Sequence, residues 1–277
     1  MVWNGRIELT RYYRRRIEPG EDWEVFWTDR DGVEQVFVAQ DRSLRLAEIE
    51  GSAWIADAEG RRRPLSADGG TLWTPTRRPY QKLFRPGRWR ETPWAPYGLG
   101  NRSNPLVPWV HCAADQRLHP YGSRVIVPAF AGGKLPDGRV FDGRMWVADV
   151  GAAIQGPLRF DWMVGDETDD RALERPLRRR LIDAHVEAPA DVPAGLDPLT
   201  ARGLQRLLRP LGFDLGTSGP AGDGVDGKIG PLTLAALARA QAAWEAIPTR
   251  ELGRWPIGAV TCWFLRAAAA GLSLSRA

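Results

Sequence analysis

Two carboxylates, Asp149 and Asp161, are the best-placed reactive groups in this chain of 277 residues. They stand about a dozen residues apart, joined by the Gly/Ala-rich turn Val150-Gly151-Ala152-Ala153-Ile154-Gln155-Gly156-Pro157. Apolar residues lead into each: Met145-Trp146-Val147-Ala148 before Asp149, Leu158 and Phe160 before Asp161. A third acid, Asp115, stands upstream. An acid at the end of a buried strand is desolvated, which raises its pKa and lets it hold a proton at neutral pH. That is the property of a general acid able to protonate a glycosidic oxygen. Acids at strand ends also cap turns, and residue type alone leaves both roles open.

The elements that must hold these acids are strands. Residues 1–13 read as an opening strand, and Arg124 to Phe130 as an apolar strand between the first two aspartates. Between them, residues 14–108 are tryptophan-rich with short alternating runs, such as Trp23-Glu24-Val25-Phe26-Trp27 and Glu34-Gln35-Val36-Phe37-Val38. Alternation of this kind predicts strands with one buried face. The stretch Leu72 to Trp109 is dense in Pro, Trp and Arg. Its aromatic faces could stack on sugars or could pin the loop to the core, and both readings stand. Residues 166–199 read as a linker. It opens with a helix capped by Asp166-Glu167-Thr168-Asp169-Asp170 and stopped near Pro176, then stiffens at Pro189, Pro193 and Pro198.

Ala113-Ala114-Asp115 through Pro120-Tyr121-Gly122-Ser123 resembles the "A-x-D-x-x-x-x-P-x-G-T" element of the three-aspartate double-psi barrel family. Asp149-Val150-Gly151-Ala152-Ala153-Ile154-Gln155-Gly156 is similar to its "D-x-G-G-A-I-x-G" element, and Phe160-Asp161 to its third aspartate. Thr10-Arg11-Tyr12-Tyr13 resembles the "T-G-Y-Y" opening of the membrane-bound lytic murein transglycosylase A family. Glu48 to Trp54 and Asp57 to Gly60 are similar to elements of the β domain inserted there. Three departures stand out: Asp149 and Asp161 are one residue further apart, Ala152 replaces a glycine, and Arg11 replaces another. An extra residue of this kind is absorbed by a bulge or else re-aims a side chain.

Near the C-terminus, Leu204, Leu207, Leu208 and Leu211 recur at helical spacing. The turn loop Asp223-Gly224-Val225-Asp226-Gly227 follows, and Pro231 suits the first turn of a helix through Gln241. This arrangement resembles the small three-helix peptidoglycan-binding domain.

Composition is that of an ordinary globular chain, 43% hydrophobic and 26% charged with net charge +4. The mild basicity fits an anionic wall polymer, and no nucleic-acid stripe is present. Arg14-Arg15-Arg16, Arg61-Arg62-Arg63 and Arg178-Arg179-Arg180 read as solvated faces. Cys112 and Cys262 form no disulfide framework, and with His111, His119 and His185 they show no metal-ligand spacing, so neither metal nor cofactor is expected. His111 and His119 read as turn or core residues. No leader sequence and no apolar run of membrane-spanning length is seen. Export would then follow removal of a leader, lysis through a phage holin, or delivery by a phage-like injection machine.

The fold class expected is mainly β: a double-psi β-barrel (1–13 plus 109–165), an inserted β-rich subdomain (14–108), a linker (166–199) and a helical peptidoglycan-binding domain (200–277). The resemblance implies a peptidoglycan lytic transglycosylase acting in the cell envelope, with glycan strands as partner. Asp161 would be the general acid and base, and Asp149 a neighbouring like charge or hydrogen-bond partner that keeps its pKa raised. Asp115, Thr10, Tyr12, Tyr13, Gly151, Ala153 and Gly156 would contact substrate. The alternatives are a hydrolysing muramidase and a non-catalytic wall-binding component of an injection machine.

Overall fold

The computed structural model describes residues 2–68, 72–73, 84–166, 168–169, 181–193, 195–244, 247–248 and 251–270. The helix expected from the 166–170 cap lies largely outside the described residues, as do the Arg178 triplet and residues 74–83 of the Pro/Trp-rich stretch. Backbone contacts divide the chain into two units. One comprises residues 12–99 and 164–174, the other residues 1–11, 100–163 and 175–277.

Strand β1 (Val2–Arg16) runs through both. It buries Ile7 and Leu9, then changes parity to bury Tyr12 and Arg14. A regular strand alternates faces with period two, so this switch at Thr10–Arg11 exposes a different face to each unit's core.

The unit built on residues 12–99 contains β2 (Pro19–Thr28), β3 (Glu34–Ala39), β4 (Ser52–Ala56), β5 (Arg62–Ala67), the short pair β6 (Leu72–Trp73) and β7 (Phe84–Arg85), and β8 (Trp89–Glu91). The sheet order is β1-β4-β5-β8-β2-β3. The β2–β3 turn is organised by Asp29, whose Oδ1 accepts the Asp31 and Val33 N–H groups. This is the local side-chain bonding that favours Asp in turns. A helix, Asp41–Glu50, ends at Gly51 in the left-handed region (φ 68°), where glycine is adopted at least cost. Sequence reading expected only strands here. The helix packs Leu44 and Ala47 against Val25, Leu65 and Trp89 in a fully buried core. Its buried Glu48 accepts from the Gly87 N–H and the Trp89 indole.

The other unit contains β9 (His111–Ala114), β10 (Arg124–Ile126), β11 (Arg144–Asp149), β12 (Arg159–Asp166) and β13 (Leu181–Glu187). The order β12-β9-β11-β10-β13-β1 closes through a further β1–β12 pairing into a ring of six strands. The Glu8 N–H donates to the Leu158 carbonyl at 2.7 Å within that closure. Residues 181–187 were expected as linker; instead they form β13, which pairs with β1 on one side and β10 on the other. Closure abolishes the sheet edge, and both neighbours supply the hydrogen bonds of this segment, which buries Ala184 and Val186.

The C-terminal helices Ala201–Leu208, Pro231–Ala242 and Ala259–Ala269 belong to this same unit. Thr200 caps the first through the Gly203 N–H, and Pro231 opens the second. A buried polar network ties them to the strands. The Val107 N–H donates to His111 Nδ1 at 3.1 Å, so the ring hydrogen sits on Nε2 and points to Glu251 Oε1 at 3.1 Å. The other oxygen of Glu251 accepts from the backbone and hydroxyl of Thr261. The Tyr121 hydroxyl donates to the Ile257 carbonyl, and the Arg124 guanidinium lies 4.3 Å above the Trp263 ring. Both cysteines are buried free thiols, and burial pushes Cys262 up to about 12. No helix among the described residues is long and apolar enough to cross a membrane.

Candidate active site

Strand β9 is the axis of the site. On one side Asp149, past a bulge in β11, registers with Ala113; on the other Asp161 of β12 registers with the same residue. The two aspartates thus flank one alanine, with Cα atoms two interstrand steps, about 10 Å, apart. The turn between them is therefore a bridge over β9, and its length must match that span.

Three successive residues strap the end of this bridge. Gly156, at φ +85°, donates its N–H to Asp115 Oδ2 at 3.0 Å. The Pro157 carbonyl lies 2.9 Å from His119 Nε2, and the Leu158 carbonyl accepts from Glu8. The His119 ring is buried, its centroid 4.8 Å from that of Phe160. Residues 156–158 are thus held in a defined turn ahead of Asp161.

Asp161 is half-buried, and its Oδ1 is buried without a hydrogen-bond partner among the described residues. Burial pushes its carboxyl up from 3.8 to about 6, against the opposing effects of the Thr10 hydroxyl and the Arg159 charge. Removing a carboxylate from water disfavours its charged form, which is the whole origin of the shift. Asp149 was expected to supply it as a like charge; it is not among the groups that move Asp161. Asp149 accepts from the Val150 N–H, while its carbonyl accepts from Gln116.

Asp115 differs in kind. It is buried, accepts a two-pronged ion pair from Arg117 (2.9 and 2.7 Å), and binds the Gly156 N–H. These donors hold its carboxyl far below the usual carboxylate range, so it stays ionised and acts as a clamp. A cleft of ≈ 450 Å³ opens beside it, lined by Ala114, Gln116, Arg117, Val150, Gly151 and Ile154 among others. Ala153 is exposed on the rim of that turn.

The fold brings together Asp161, Asp149, Asp115, Thr10, Gly151, Ala153 and Gly156 in one unit. Thr10 lies 3.3 Å from the Phe160 carbonyl, beside Asp161. Tyr12 and Tyr13 fall in the other unit; Tyr12 is buried, and Tyr13 lies under the Arg15 guanidinium at 4.2 Å. Sequence reading missed Arg159 and the His119 strap. Arg159 stands two residues before Asp161 on one strand, hence on the same face, and that spacing was a usable signal. The His119 contact spans 38 residues and gives none locally.

Among solved structures, the chain is similar to a membrane-bound lytic murein transglycosylase from Agrobacterium tumefaciens, at 14% identity over 67% of this chain and 75% of that one, with a TM-score of 0.44. It is similar to E. coli MltA with bound chitohexaose at 16% identity, 67% and 73% coverage and a TM-score of 0.45. A lytic transglycosylase, LtgG, of Burkholderia pseudomallei matches at 16% identity, 66% and 71% coverage and a TM-score of 0.38. No curated protein matches the chain. Residues 111–173, which contain Asp115, Asp149 and Asp161, match the sequence model of the 3D domain family.

Proposed function

We propose that this protein is a lytic transglycosylase acting on the β-1,4 bond between N-acetylmuramic acid and N-acetylglucosamine of peptidoglycan. One observation carries the reading: within the segment that matches the 3D domain, Asp161 is the acid whose burial raises its carboxyl to about 6. A carboxylic acid poised near neutrality can both give and take a proton.

In the first step protonated Asp161 gives its proton to the glycosidic oxygen, and the C1–O4 bond breaks. The resulting carboxylate then accepts the proton of the muramoyl C6 hydroxyl as that oxygen bonds to C1. The 1,6-anhydro ring closes and Asp161 is again neutral. An internal hydroxyl held near C1 acts at very high effective concentration, so no water-activating carboxylate is needed. Arg159 lends its charge to the transient carboxylate of Asp161. Thr10 orients the carboxyl. Asp149, the turn from Gly151 to Gly156 and the cleft beside Asp115 would take the glycan. The site of action is the cell envelope, where this polymer lies.

By resemblance, the six-stranded ring is a double-psi barrel and residues 200–277 add a wall-binding surface. Mass spectrometry of purified sacculi incubated with the protein, beside Asp161→Ala, tests the proposal. Anhydromuropeptides from the wild type alone support it. Reducing-end products would replace it with a hydrolase, and binding without products would leave a wall-binding protein.

A further inference from the structure

Two arginine runs distant in sequence converge. Arg14 of β1 and Arg61, Arg62 and Arg63 at the start of β5 meet Arg30 around a cavity of ≈ 460 Å³ in the unit built on residues 12–99. Sequence reading placed both runs on solvated faces. Arg61 and Arg62 are indeed exposed, but Arg14 is buried, 5% exposed, and the group lines a common wall.

The acids that neutralise these arginines stand mostly behind the wall. Buried Asp166 accepts a two-pronged bond from Arg14 (2.8 and 3.0 Å) and a further one from Arg62 at 2.7 Å. Asp57 holds Arg61 and Arg63 at 2.8 and 3.1 Å, and Glu59 holds Arg61. Among the described residues Glu91 is the one acid in the lining itself, and it is 3% exposed and engaged by Arg63 and by the Arg30 N–H. Among the described residues the cavity wall therefore carries five guanidinium groups and one occupied carboxylate.

Its geometry is fixed in advance. Arg62 lies 4.4 Å above the Trp54 ring and Arg14 5.1 Å from the Tyr97 ring. Pro64, Pro93 and Pro96 supply stiff walls. Donors remain open: the Arg30 guanidinium makes no hydrogen bond among the described residues, its nearest acid, Asp31, being 3.9 Å away. Arg62 spends one N–H on Asp166. Both side chains are more than half exposed, at 62% and 53%. A guanidinium presents its free N–H groups as a planar fork that matches two oxygens of one anion.

We propose that this cavity is a binding site for an oxyanionic group, a carboxylate or a phosphate, with Arg30 and Arg62 as its recognition pair. Buried Asp166 holds Arg62 against the wall, and the Arg30 guanidinium is left unbonded among the described residues. The site stands independently of the catalytic reading.

The test titrates the full chain with inorganic phosphate in one arm and glutarate in the other, at constant ionic strength. Arginine Nε–H signals are followed by NMR. The expected result is saturable binding with Kd on the order of 1–10 mM, weakened about tenfold or more in Arg30→Gln/Arg62→Gln. Tighter glutarate points to peptide carboxylates as the natural group, tighter phosphate to phosphodiester polymers. Arg42→Gln, an exposed arginine of the same unit outside the cavity, should leave binding unchanged. Absence of saturation in both arms, or equal weakening by Arg42→Gln, overturns the proposal. The exposure of Arg30 and Arg62 lets the double variant fold, which a thermal melt verifies.

Discussion

Replacing Asp161 by Asn tests the origin of its reactivity without any substrate. The carboxyl titrates near 3.8 in an unfolded chain and at about 6 in the fold. A raised folded pKa means the native state binds more protons than the unfolded one between these values. Stability contributed by this group is then fully present below pH 3.8 and is lost as pH rises through about 6. Each pH unit of that gap is worth about 1.36 kcal/mol, so ionised Asp161 costs about 3 kcal/mol, or about 2 kcal/mol after allowance for its part exposure. Asparagine keeps the shape and cannot ionise. Urea unfolding of wild type and Asp161→Asn, measured from pH 4 to pH 8 and subtracted, cancels the other groups. The variant should gain about 2–3 kcal/mol relative to wild type across the window and then level off. A difference flat to within ~0.5 kcal/mol would show that burial does not hold Asp161 protonated, and the acid-base role would fall with it.

Other expectations follow from the same geometry. Release of anhydromuropeptides should fall about tenfold per pH unit well above pH 6 as Asp161 loses its proton. Arg159→Gln should move that limb to higher pH, because a positive neighbour that favours the carboxylate is gone; a pH–rate profile reads both. Asp115→Asn should lower the melting temperature at pH 7. Its difference from wild type should shrink as pH falls below the ordinary aspartate range, since a depressed carboxyl stabilises only while ionised. Glu251→Ala leaves His111 Nε2 and the Thr261 donors unpaired in the core and should cost about 3–5 kcal/mol in urea unfolding. Gln205→Ala removes bonds to Asp226, Lys228 and Gly227 that shape the Gly/Asp loop, with an expected loss of about 1–3 kcal/mol.

Local pattern accounts for much of what was legible. Alternation marked β1, β2 and β3 because a half-buried strand must alternate. Pro231 and the leucine spacing marked helices because capping and period are local properties. The helix Asp41–Glu50 was missed because its run, Asp-Arg-Ser-Leu-Arg-Leu-Ala-Glu-Ile-Glu, carries no strong cap: Gln40 makes no side-chain capping bond. Packing of Leu44 and Ala47 decides it instead.

By itself the sequence marked the residues proposed for the chemistry. Three aspartates, the Gly/Ala turn and the order of the motifs are one-dimensional facts, and all lie within the residues that match the 3D domain model. Only tertiary structure decided what each acid is. Asp161 and Asp115 are the same side chain, yet burial raises one against the Thr10 and Arg159 effects, and the Arg117 and Gly156 donors depress the other. The closure of the ring by β13, the flanking of Ala113 by Asp149 and Asp161, and the meeting of Arg14 with Arg61, Arg62 and Arg63 are likewise tertiary. Charge and hydrogen bonding depend on neighbours in space, and the chain order of these neighbours does not record their distance.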